Sequence, residues 1–390
     1  MITFIPYASF RFFVLIAVLL APVIILGLKG KRSTGYNGVV GCVMLFLIFA
    51  STPRQLVSLI VFLVWQLALI NAYLHMRRQS NRAVVFYVAV VLAVLPLFLV
   101  KLSADVPSLS FLGFLGISYV SFRSIELVMN IRDGVLKHLS LWHVFRFIAF
   151  FPTISSGPID RFRRFEKDAE HVPSGAEYKE MLYQGMNKIF LGFLYKYIIG
   201  YLVRKYGIES PMLFSNSIGS IWLYMYAYSM YLFFDFAGYS QFAIGVSYIL
   251  GIKTPENFNK PFLSHNMKDF WNRWHISLSF WFRDFVYMRF VYTAVKHKWL
   301  KNRYLIADIG IFLNFLVMGF WHGFMVQYII YGIYHAVAFI TADRFERFNK
   351  KHRVLPKDNK WIHAAAVVLT FHVICFSFLI FSGRLNFIWQ

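Results

Sequence analysis

Glu126, Asp235, Asp308, His322, His335 and His372 all stand inside long apolar runs, and His275 stands beside one. An ionisable group at membrane depth is costly, so each is a candidate functional group by default. His322 lies in LVMGFWHGFMVQYIIYG (316–332), where Gly319 and Gly323 bracket Trp321 and His322. Those glycines let a helix end, or let another group approach the backbone closely. An imidazole in such surroundings is largely neutral and can accept a proton. The alternative for His322 is a hydrogen bond between helices. His335 and His372 have no neighbouring feature that marks a site, and that interhelical role is the expectation for both. His275 stands in FWNRWHISLSFWFRDFVYMRF (270–290), which carries three Trp, five Phe and three Arg. This is too apolar for a surface loop and too charged for an ordinary span. On residue type alone, His275 is either a reacting group or a hydrogen-bonding support.

Other chemistries find no footing. The chain has no G-x-x-x-x-G-K-[ST], no H-E-x-x-H, no C-x-x-C and no G-x-S-x-G. Cys42 and Cys375 lie in apolar blocks and form no metal motif, so no metal is expected. Asp160 and Glu166 lie in a basic loop and are expected to be ion-paired rather than catalytic.

The elements that must position these groups are helices in a membrane. The chain is 58% hydrophobic and 15% charged, against about 45–50% and about 25% in a soluble domain. Its apolar runs approach the about 20 residues a spanning helix needs. Helices satisfy their own backbone polar groups in lipid, and no alternating barrel strands are visible. The expectation is an all-α polytopic membrane protein, one domain over residues 1–390. Candidate spans are 8–28, 36–50, 54–74, 83–101, 109–129, 140–156, 183–204, 215–235, 237–251, 304–321, 324–342 and 361–381. The first has no basic region ahead of it and no small-residue cleavage site, so it reads as a retained span. Basic runs at 29–32 and 77–82 put those loops in the cytoplasm and the N-terminus outside. The run 140–156 then conflicts with its basic flanks and ends in FFPTISSGP, so it reads as re-entrant or tilted, broken by Pro152, Gly157 and Pro158. The basic stretch 252–303 reads as short helices on the cytoplasmic face. A net charge of +22 fits positive-inside loops, anionic lipid headgroups or an acidic partner. Embedding in lipid excludes nucleic acid as a partner.

Four segments in order resemble the membrane-bound O-acyltransferases: FFPTISSGPIDRFRRF (150–165), YLFFDFAGYSQFAIGVSYILGIKTPENFNKPF (231–262), residues 270–290 and GFWHG (319–323). The two histidines that mark this family fall here on His275 and His322, 47 residues apart. Segments 116–134, 150–168 and 271–290 are similar to the branch that D-alanylates teichoic acids. Gln241 stands where the polysaccharide O-acetyltransferase branch usually has Asp, which argues against that branch without excluding it.

The resemblance implies a ring of about 10–12 spanning helices with short re-entrant or interfacial helices around a central tunnel. It divides the chain into peripheral spans in 1–105 and a core of about 106–385. It implies a bacterial plasma-membrane enzyme with no bound cofactor. A 4′-phosphopantetheine thioester would arrive on a small acidic D-alanyl carrier protein from the cytoplasm. A teichoic acid or intermediate acceptor would arrive from outside. His322 is then the general base and His275 a catalytic-site residue along the donor path. Trp271, Trp274, Ser279, Arg283 and Trp321 would line that path, and Met288, Val291 and Tyr292 would contact the carrier. A transporter or flippase is the alternative of another class, since deep histidines and broken helices suit that too.

Overall fold

The computed structural model describes residues 4–103, 106–356 and 359–388. Among them are fifteen α-helices, several short 3₁₀ and π-helical turns, and no strand beyond one isolated bridge between Phe258 and Trp274. Five helices are long and apolar enough to cross a membrane: α1 (Phe10–Leu28), α3 (Pro53–Gln79), α4 (Ala83–Leu102), α13 (Arg303–His322) and α15 (Lys360–Phe381). The chain is thus an all-helical polytopic membrane protein. It forms two compact units, residues 1–193 with 238–255, and residues 194–237 with 256–390.

In the first unit, α5 (Ile117–Arg132) begins eight residues later than expected, because Pro107–Leu112 form a 3₁₀ turn and Gly116, at φ 91°, sets the turn that precedes the helix. A side chain at Gly116 would strike the carbonyl of Ile154. The helix α6 (Leu141–Ile148) stops where Pro152 approaches, and the chain runs irregularly to α7 (Phe162–Glu170). Arg123, only 1% exposed, donates to the carbonyls of Phe147 and Ile148, both at 3.1 Å, and to that of Thr153 at 2.7 Å. One guanidinium thereby satisfies carbonyls that the broken helix leaves open.

The two spans expected at 215–235 and 237–251 are one continuous 32-residue helix, α9 (Ile218–Ile249). No proline interrupts it. Gly192 serves packing against it: in the first unit α8 (Gly175–Phe193) comes so close that a Cβ on Gly192 would lie 3.0 Å from the Gly238 carbonyl.

In the second unit, α13 and α14 (Val326–His352) cross at Gly319 and Gly332. A Cβ on Gly319 would lie 2.6 Å from the Tyr328 carbonyl, and one on Gly332 2.5 Å from that of Phe315. Between α9 and α13 lies the basic stretch, folded as expected into short helices: α10 (Met267–Trp271), α11 (Ile276–Phe282) and α12 (Met288–Lys296), with a π-helical turn at Arg283–Tyr287.

Candidate active site

The second unit brings His275 and His322 to one cavity of about 80 Å³, walled by Trp271, Trp274, Met318, Tyr331 and Phe381 among others. Each histidine is positioned differently. His322 is the last residue of α13, and Gly323 ends the helix there. Its half-buried ring meets Tyr331 edge-on at 5.8 Å and Phe381 at 4.9 Å. His275 precedes α11 with φ 43° and ψ 51°, a left-handed backbone that costs a non-glycine residue about 1–3 kcal/mol. The segment 257–259 holds it there. Ile276 N–H donates to the Asn257 carbonyl and Asn259 N–H to that of Arg273, both at 2.9 Å.

Asn257 also sets the His275 ring. Its Oδ1 lies 3.1 Å from His275 Nδ1 and accepts from the Ser277 hydroxyl at 2.8 Å. An amide oxygen only accepts, so Nδ1 carries the proton and Nε2 the lone pair. His275 is 5% exposed, with Phe236 edge-on at 4.8 Å. Burial, with His322 nearby adding to it, lowers its pKa to about 3, so the ring is neutral at physiological pH.

Apart from His335, whose ring nitrogens bond to no described residue, the other deep ionisable groups are tied up. Asp308 accepts from Arg344 at 2.7 Å and Arg347 at 3.1 Å. Asp235 pairs with Lys196, Glu126 accepts from the Phe162 N–H at 3.0 Å, and His372 Nδ1 lies 2.7 Å from the Val368 carbonyl. Asp160 pairs with Arg164, and Glu166 with His143 at 3.1 Å. His143, Glu166 and Glu170 form the one group among the described residues with metal-ligand geometry, and nothing else there points to an ion.

A second cavity of about 380 Å³ adjoins the first, sharing Trp271 and Met318 as walls. Ser279 and Arg283 line it, with Lys268, Asn272 and Asp343 adding polar groups. Of the residues expected on a donor path, Trp271 and Trp274 therefore line the histidine cavity, while Trp271, Ser279 and Arg283 line its neighbour. Trp321 lines neither; its ring packs 4.5 Å from His322 and 6.4 Å from Phe282. Of the three expected carrier contacts, Met288 and Tyr292 are exposed on α12, whereas Val291 turns inward against Gly310 of α13. Asn257 and Tyr331 escaped the sequence reading as site residues, and the fully buried His335, expected there to bond between helices, makes no such bond to a described residue. Asn257 lies within a family segment, but nothing in its local pattern ties it to His275.

An all-helical polytopic membrane chain here brings two imidazoles to one aromatic-walled cavity, a setting for proton-transfer chemistry. The comparisons identify its kind. The family model described as MBOAT, membrane-bound O-acyltransferase family, matches residues 44–382. The chain belongs to the membrane-bound O-acyltransferase family and is an acyltransferase. It is 53% identical over 388 residues to a teichoic acid D-alanyltransferase of Bacillus subtilis (strain 168), covering 97% of this chain and 98% of the relative. It is 44% identical to the protein of that name from Lacticaseibacillus rhamnosus, covering 98% of each. A probable alginate O-acetylase of Pseudomonas aeruginosa is 30% identical over 69% of this chain and 49% of its own length.

Proposed function

We propose that this protein moves a D-alanyl group from a carrier-protein thioester to a hydroxyl acceptor in teichoic acid D-alanylation. The observation that carries the reading is that His275 and His322 line one aromatic-walled cavity. The D-alanyl group and the teichoic acid acceptor rest on full-length similarity to relatives bearing that name. His322 takes the proton from the acceptor hydroxyl as its oxygen attacks the thioester carbonyl. The C–O bond forms, the C–S bond breaks, and the leaving thiolate recovers the proton from the His322 imidazolium. General-base assistance of this kind contributes about 10²–10⁴-fold. His275, neutral and with its tautomer fixed by Asn257, orients the thioester arm through Nε2. The donor is a 4′-phosphopantetheine arm on a small acidic carrier, entering past Ser279 and Arg283, with Met288 and Tyr292 on the docking face.

Membranes containing this chain should move radiolabelled D-alanine from charged carrier to a teichoic acid acceptor, and should leave an acetyl-charged carrier largely untouched. Movement of label across the membrane without any new ester bond would mark a transporter and overturn the proposal. Preferred transfer of acetyl would place the chain with the O-acetylating branch.

A further inference from the structure

Ligand sites usually measure about 300–1,000 Å³. The cavity holding the two histidines, about 80 Å³, falls short of this range, while its neighbour, about 380 Å³, lies inside it. The larger cavity carries the polar groups of an entrance and the smaller one the imidazoles. Trp271 and Met318 line both, so they form the partition between them. An acyl group delivered to the histidines through the larger cavity must pass it.

Behind the partition lies His335 of α14, with no exposed surface. Its ring is 5.1 Å from that of Trp271, nearly perpendicular, and 4.5 Å from that of Tyr331. Neither His335 nitrogen bonds to any described residue, and neither does the buried indole N–H of Trp271. A buried donor and a buried acceptor, side by side and unjoined, is a costly arrangement that a small rotation relieves. Phe315 touches both rings, His335 at 5.7 Å and Trp271 at 5.2 Å, but only the indole lines both cavities, so the indole is the part whose turning joins them.

We propose that Trp271 is the gate between the two cavities and that His335 is its latch. With the indole turned, its N–H donates to a ring nitrogen of His335, the ring leaves the partition, and the cavities join into one passage. Trp271 and His335 are positioning residues, acting on delivery of the arm rather than on the proton transfer. This inference rests on the proposed use of a carrier-borne thioester and adds how the arm reaches the histidines.

The test uses the full chain and a carrier whose phosphopantetheine arm ends in a photoreactive diazirine. In the wild type, adducts should form on inner-wall residues such as Trp274 and Phe381. In H335F, inner adducts should fall at least about tenfold while adducts on Phe315 and Phe339 of the outer cavity persist. Transfer should fall in kcat by a similar factor with carrier affinity unchanged, and H335N, which keeps an acceptor, should recover much of it. Replacing Trp271 with 3-benzothienylalanine, which keeps the indole's shape without its N–H, should match H335F and add nothing to it in combination. That variant carries the test if H335F fails to fold. Wild-type labelling and transfer by H335F, or a lowered melting temperature alone, would overturn the latch while leaving the proposed function standing. No adduct in either cavity of the wild type would overturn both.

Discussion

At the scale of single residues, the proposed site fixes one imidazole and gives the proton transfer to the other. His275 is held by its backbone, by Asn257 on Nδ1 and by Phe236 on its edge. Removing the Asn257 amide while keeping its bulk, as in N257L, takes away the Oδ1 acceptor that His275 and Ser277 share. Losing a buried hydrogen bond costs about 1–3 kcal/mol. Transfer by N257L is therefore expected to fall about tenfold or more, and single-turnover rates on charged carrier measure it; an unchanged rate would show that the tautomer is irrelevant. The two histidines were legible in the sequence because each sits in a short motif of unusual composition. Asn257 was not, because its partner is 18 residues away and the contact depends on a left-handed backbone that no local pattern announces. His335 was visible as a buried histidine, but its position behind Trp271 needs the crossing of α13 and α14.

At the scale of elements, the glycines of GFWHG set how closely two helices approach. Sequence placed Gly319 beside His322 and offered a helix end or a close approach. Gly323 ends α13, and Gly319 provides the close approach to α14. G319V should push the Tyr328 carbonyl away, separate the helices and displace His322. Overpacking typically costs about 1–3 kcal/mol, so G319V protein in detergent should melt several degrees lower and transfer poorly; wild-type melting would contradict the crossing. Hydropathy marked where the long apolar helices lie, since about 20 apolar residues leave a clear signature. It divided α9 wrongly, because apolar length alone does not tell one 32-residue helix from two short spans. The irregular run after α6 was legible from Pro152, Gly157 and Pro158, but the Arg123 clamp that makes it tolerable joins residues 24 to 30 positions apart.

At the scale of the whole molecule, the charge of +22 on a chain only 15% charged bears on the proposed acidic carrier. Basic residues near α12, including Lys296, Lys298 and Lys301, would steer an acidic carrier, raising its on-rate more than its affinity. Stopped-flow association should slow about tenfold or more as salt rises from about 0.05 to 0.5 M, with a smaller change in off-rate. A salt-independent on-rate would remove steering from the account. The proposed reaction, by contrast, hangs on one proton. The decisive measurement is single-turnover transfer by H322A in lipid, alongside its carrier binding and its melting temperature. The account predicts a fall of at least about 10² with binding and melting preserved. A folded, carrier-binding H322A that transfers at near the normal rate would contradict it.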